Sequence, residues 1–151
     1  MRSLRLIART LATAAISGGI VTGCAGPNPA TPALLADVSA GGGLWGACPP
    51  RSSEEARVQE GRPVATSPEL QKRLQASFPA GTAETKLADA LQSQGFKLLS
   101  SCSGDPSIRI ARFTQQGGGV TAFPMIAEVY WQVDHANTIV WTKGFVRYVG
   151  L

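Results

Sequence analysis

The chain is 151 residues long, 44% hydrophobic and only 16% charged, with 17 glycines, 10 prolines, three cysteines and one histidine. That length holds one folded domain at most, which excludes a multidomain enzyme, and the apolar, aromatic C-terminal half excludes a uniformly disordered chain. The net charge of +4 is concentrated at the start, because Arg2, Arg5 and Arg9 leave 11 basic against 10 acidic residues from Cys24 onward, with no basic run of the kind a nucleic-acid binder carries.

Residues 1–23 have the anatomy of an export signal peptide: a basic start, an apolar stretch from about Leu11 to Val21, and small residues at the end. The apolar stretch falls far short of the ~20 residues that cross a hydrocarbon core, and Gly18 and Gly19 weaken it as a permanent helix. Val21-Thr22-Gly23-Cys24 closely resembles the lipobox of bacterial lipoproteins. That resemblance implies thioether lipidation of Cys24, cleavage before it and acylation of the new N-terminus. Each buried methylene is worth ~0.8 kcal/mol, so two or three acyl chains would hold the protein firmly at a membrane. Ala25, in place of an aspartate, resembles outer-membrane sorting, so the expected location is the periplasmic face of an outer membrane. The alternative is an ordinary secretory signal that happens to end in a cysteine.

With Cys24 acylated, Cys48 and Cys102 form an even pair in an oxidising compartment, and the two are expected to be disulfide-bonded. Closing a loop of about 55 residues stabilises by ~4 kcal/mol through the unfolded state. Two buried or intermolecular thiols are the competing reading.

Residues 24–66 contain Pro27, Pro29, Pro32, Gly41-Gly42-Gly43 and Pro49-Pro50, a composition that reads as a disordered tether because it buries too little apolar area to offset its ordering entropy. Leu44-Trp45 is the exception, a stretch that the disulfide would pin against the folded domain.

The domain itself is expected over 67–151. Ser67-Pro68-Glu69 supplies an N-cap hydroxyl, a proline at the first helical position and an acid in the first turn. Leu70, Leu74 and Phe78 then recur every four residues until Pro79-Ala80-Gly81 stops the helix. Thr82 is the expected cap of a second helix with Ala83, Leu87, Ala90 and Leu91 on one face, ended by Gly95 in a Schellman turn that sets Phe96 against Leu91.

Strand patterns follow: Phe96–Cys102 and Ser107–Gln115 joined through Gly104-Asp105-Pro106, then Phe123–Asp134, a turn at Asp134-His135-Ala136-Asn137, and Thr138–Val149 with a bend or bulge near Gly144. In the third strand Val129, Trp131 and Val133 alternate with Glu128, Tyr130 and Gln132, the pattern of a strand buried on one side. The prediction is an α+β fold, two short helices followed by an antiparallel sheet of about four strands in two layers.

Chemistry-bearing candidates are few. His135 beside Asp134 invites a general-base reading, but neighbours in a turn usually point apart and no activated nucleophile accompanies them. Gly117-Gly118-Gly119 lacks the following helix that a phosphate-binding loop needs, and no histidine or cysteine spacing suits a metal. No catalytic residue, metal or cofactor is therefore assigned. Trp141, Phe145 and Tyr148 crowd the last strand, and Tyr130, Gln132 and Tyr148 are the candidate partner surface.

A lipidated cysteine, a Pro/Gly tether, two short helices and an antiparallel sheet are together similar in architecture to small outer-membrane lipoproteins of the BamE (SmpA/OmlA-like) type. The similarity covers roughly residues 67–149 and includes the Phe78-Pro79-x-Gly81 turn and the Val133-Asp134 hairpin before Ile139. An extra strand and a disulfide depart from that pattern. The expected function is a non-enzymatic interaction or scaffolding module on the envelope, in contact with the membrane through its lipid and with another envelope protein, and not with nucleic acid. A lipid-anchored inhibitor or small-ligand binder is the alternative; a concave apolar site on the sheet would favour ligand binding, and a flat exposed patch a protein partner.

Overall fold

The computed structural model describes residues 30–41, 45–50, 52–62, 65–116 and 124–149. Cys24, the expected export signal and Gly117-Gly118-Gly119 lie outside them. Among the described residues three α-helices, α1 (Ser53–Gln59), α2 (Pro68–Ser77) and α3 (Glu84–Ser93), precede four strands, β1 (Lys97–Leu98), β2 (Ile108–Gln115), β3 (Met125–Val133) and β4 (Ile139–Tyr148). The strands form one antiparallel sheet in sequence order. The fold is α+β.

The helices start differently from their sequence signals. Ser67 precedes α2 as expected, but its hydroxyl donates to Glu69 Oε2 at 3.3 Å and accepts no backbone bond. Its own N–H donates to the Gly144 carbonyl at 2.9 Å, so this fully buried cap residue ties α2 to the sheet. The cap of α3 is Ala83, not Thr82. The Thr82 carbonyl accepts from Ile139 N–H, Gly81 N–H donates to Ile139, and Glu84 N–H donates to the Asn137 carbonyl. The turn before β4 thereby takes the place of a side-chain cap for an otherwise orphaned helical N–H, that of Glu84. At the other end, Gly95 at φ +85° lets Phe96 N–H reach Leu91 O at 3.0 Å and Gly95 N–H reach Gln92 O at 2.9 Å, the two bonds of the expected Schellman ending.

Leu70, Leu74, Leu87 and Leu91 are completely buried against the inward side chains of the sheet, chiefly Ala111, Phe113, Ala127, Val129, Trp131 and Val146. Each such side chain contributes about 1.5–3 kcal/mol relative to exposure. Gly144 has no bulge; it is the close-approach point, where a Cβ would lie 2.5 Å from Leu70 Cγ. The irregularity falls instead at Val140, which is skipped where the register passes from Gln132–Trp141 to Val133–Ile139. The outer edge of β4 is also occupied. The Gln71 amide donates to Thr142 O at 2.8 Å and accepts Gly144 N–H at 3.1 Å, satisfying edge groups as a neighbouring strand would.

Part of the expected tether is folded. Leu34, Leu35 and Val38, in and just after a 3₁₀ turn at Ala33–Leu35, are buried in the same core. Leu34 N–H donates to Gln94 Oε1 at 3.0 Å, and the Leu34 carbonyl accepts from Arg73 at 2.9 Å. Helix α1 also lies in that stretch: Ser52 caps it by accepting Glu55 N–H, Glu54 and Glu55 suit its positive end, and none of its residues is buried. β1 is shorter than the strand expected over Phe96–Cys102, although Leu99 and Cys102 still donate to the Ile110 and Ile108 carbonyls.

The N-terminal segment is fastened at Ser39, whose N–H and hydroxyl donate to Glu69 Oε2 at 3.2 and 2.7 Å. The Ser39 hydroxyl foremost, then the backbone N–H groups of Glu69 and Ser39 and the Ser67 hydroxyl, lower the Glu69 pKa from 4.5 to about 2. A depressed carboxyl pKa means that the contact is fully made above the ordinary value and is lost as pH falls through the folded one. The Ser39 amide resonance should therefore titrate with a midpoint near 2 rather than 4.5, and the step should vanish in Glu69→Gln; a midpoint at the ordinary value would show that the segment is not held this way.

Candidate functional site: the outward sheet face and its strap

Strand pairing places Ile108, Ile110, Arg112 and Thr114 of β2, Ile126, Glu128, Tyr130 and Gln132 of β3, and Trp141, Lys143, Phe145 and Arg147 of β4 on the face turned away from the helices. Alternation along β3 predicts that this face is solvated. Instead Glu128 is 2% and Tyr130 6% exposed. The cover is the segment 45–48, a strap held across the face by the Cys48–Cys102 disulfide, whose Cα atoms are 5.5 Å apart. Cys102, Ile108, Tyr130 and Phe145 form a second small core beneath it, with Trp45, Ala47, Ile110 and Trp141 packed around.

Glu128 organises this core. Its Oε1 accepts from Arg112 Nε at 2.7 Å and pairs with Nη2 at 2.6 Å, while Oε2 accepts from Trp45 Nε1 and Tyr130 Oη, each at 2.7 Å. Two donors on each oxygen fill the carboxylate's acceptor sites, which is the condition for burying a charge without a large penalty. The Tyr130 hydroxyl is pushed above its ordinary range, first by burial and then by its bond to Glu128. Tyr130 also meets Phe145 edge-on at 5.3 Å, Trp45 tilts against Phe145 at 6.0 Å, and the Arg147 guanidinium lies 4.6 Å from the Trp45 ring centre. Gly46 is required in the strap: it sits at φ +101°, and a Cβ there would come within 3.1 Å of the Tyr130 hydroxyl.

The candidate partner surface needs correction. Tyr130 is buried under the strap with its hydroxyl engaged, so it presents no surface. Gln132 is half-buried and bridges Ser107 and Trp141, accepting the Trp141 indole N–H at 2.6 Å. Tyr148 pairs with Met125 and packs on the inward core, on the other side of the sheet. The structure therefore does not bring the three together. Trp45, Glu128 and Arg112, which sequence reasoning did not connect, are the residues that meet. The available signal was a lone acid in an otherwise apolar and aromatic stretch, Val133 back to Met125, with a tryptophan beside a cysteine far upstream.

His135 stands in an exposed turn. The Asp134 carboxylate beside it accepts from Thr138 Oγ1 at 2.7 Å and from the Thr138 and Ala136 N–H groups at 2.9 Å, which hold its pKa below the ordinary value. It shapes the turn and does not orient the imidazole. An open cleft of about 640 Å³ runs past His135, Ser107, Arg109, Gln132 and Val140. Its polar groups serve the fold: Ser107 Oγ donates to Asp105 at 2.6 Å, and Arg109 pairs with Glu84 at 3.4 Å and donates to Pro106 O at 2.9 Å. Among the described residues no group of three His, Cys, Asp or Glu could hold a metal ion.

No protein-family model, curated protein or solved structure matches the chain, so its function is argued from its own residues.

Cys48→Ser and Cys102→Ser should lower the melting temperature equally, and the double variant no further, because each removes one shared bond. A bridge worth ~4 kcal/mol corresponds to a drop of more than about 10 °C in a domain of this size. Additive losses in a thermal melt of the oxidised proteins would show that the strap is not fastened by this pair.

Proposed function

We propose that the protein is an exported lipoprotein, anchored at the outer membrane through Cys24 and facing the periplasm, that works as a non-enzymatic interaction or scaffolding module. The observation that carries this reading is the pairing of Cys48 with Cys102. A structural disulfide belongs to an oxidising compartment, and the remaining cysteine is the one that follows Val21-Thr22-Gly23. A tether role is kept for the stretch from Cys24 to Leu34, the first residue of the leucine core among those described, ten residue steps on. Fully extended, such a stretch spans at most about 35 Å, so the domain would work close to the lipid surface. The engagement of Glu128, Asp134 and Ser107 in bonds within the fold supports a role in binding over catalysis. A small-ligand binder would call for a concave apolar site on the sheet; the Trp45 strap covers the middle of the outward face, and the cavity of about 540 Å³ beside β1 and β2 is lined by Lys97, Arg112, Thr114 and Gln116 as well as by Leu99 and Phe113.

Expressed in a bacterial host, the full chain should incorporate labelled palmitate and yield a mature N-terminus at Cys24. Cys24→Ala should abolish both. Equal incorporation by the variant, or none by the parent chain, would contradict the lipoprotein reading.

A further inference from the structure

We infer that the outward face of the sheet, with its strap, docks on the anionic headgroup surface of a phospholipid bilayer; the inference rests on the anchored reading above and names the surface that the anchored domain meets. Strand register puts Lys97, Arg112, Lys143 and Arg147 on this face, and all four are exposed. The single acid among the strand residues of that face is Glu128, which is buried and spent on Arg112. Every exposed strand charge there is thus positive. The helical side has no such bias, since Glu69, Glu84 and Asp89 balance Lys72, Arg73 and Lys86 along α2 and α3.

The aromatic groups suit the same partner. Trp45 and Trp141 are half-buried, and both indole N–H groups are already engaged, by Glu128 and Gln132. What they leave to an approaching surface is ring carbon, flanked by cations: Arg147 at 4.6 Å from the Trp45 centre and Lys143 at 5.1 Å from that of Trp141. Ile110 and Ile126, half-exposed, complete the apolar part of the face. Rings with apolar bodies beside long basic side chains are the residues that sit at a headgroup boundary. Nucleic acid fits less well, because the two cations nearest the tryptophans stack on the rings that bases would need. A lipid anchor a short span away supplies a high effective concentration of headgroups, so a face with few cations is sufficient.

The test uses the acylated full chain, reconstituted into vesicles of phosphatidylcholine alone or mixed equally with cardiolipin, with brominated acyl chains as the quencher. Trp45 and Trp141 should be quenched in the anionic vesicles only, and high salt should reverse it; the buried Trp131 supplies an unquenched background. One basic residue near an anionic surface is worth about fivefold, ~1 kcal/mol, so Lys143→Gln with Arg147→Gln should lower the docked-to-undocked ratio roughly 25-fold. The variant's melting temperature in detergent guards against misfolding. Lys97→Gln with Lys143→Gln, which leaves Arg147 on Trp45, should give a comparable loss. Quenching that is equal in both vesicle types, or that survives in both variants, would overturn the inference and leave the face to a second copy or another protein. Sedimentation with the phosphatidylcholine vesicles reports the anchor separately. If that fails, the lipoprotein reading falls, and the face is then read from salt-sensitive sedimentation with the cardiolipin vesicles, whose absence would overturn it too.

Discussion

A carboxylate buried beneath a sheet face is the constraint on which the outer half of this structure depends. Glu128 sits at the centre of the sheet with almost no exposure, and a charge in that position is tolerated only when its acceptor sites are filled. Three of the four donors come from within the sheet, two from Arg112 and one from Tyr130, but the fourth must come from elsewhere: Trp45, more than 80 residues upstream. The strap therefore has to lie on the face. Losing one partner of a buried ion pair costs ~3–5 kcal/mol, and less here because Arg112 keeps half of its side chain in water. The disulfide reduces the entropic cost of bringing the strap back to the sheet, since it removes loop freedom from the unfolded chain.

The inward half obeys a different constraint, close approach. Helix α2 comes near enough to β4 that position 144 has no space for a side chain, and Ser67 and Gln71 exploit that proximity by bonding the backbone of the sheet's edge. One set of contacts thus packs the leucine core and also removes an edge that would otherwise be open to pairing with another chain. The two halves meet at β3, whose side chains from Met125 to Val133 alternate between the leucine core and the Glu128 cluster.

Local signals in the sequence were sufficient for α2 and α3, the antiparallel strands and the Gly95 ending, because each is set by spacing or by one residue's backbone freedom. The cysteine pairing was legible once the lipobox resemblance set Cys24 aside and left an even pair. What escaped is non-local. Leu34, Leu35 and Val38 lie among prolines and alanines, and their burial is decided by Arg73 and Gln94, which hold that segment's backbone. Alternation in β3 correctly separated the two faces but could not show that the second is covered, since the cover is a segment from the far end of the chain. The face of Tyr148 depends on the extra residue Val140, which shifts the parity of β4 so that positions 142, 144, 146 and 148 face inward. Compositional reading also hid α1, a helix made by Ser52 and first-turn acids with no apolar stripe to reveal it.

The strap's hold on the folded sheet can be watched at one atom. The Trp45 indole N–H donates to a buried carboxylate, whereas that of Trp131 donates to Glu84 on the opposite side of the sheet. Hydrogen exchange of the two indole protons, followed by NMR before and after mild reduction of the disulfide, separates strap release from global unfolding. The account requires that the Trp45 proton be protected in the oxidised protein and exchange much faster on reduction, while the Trp131 proton stays slow. Unchanged protection of Trp45 after reduction, or loss of both protons together, would contradict it.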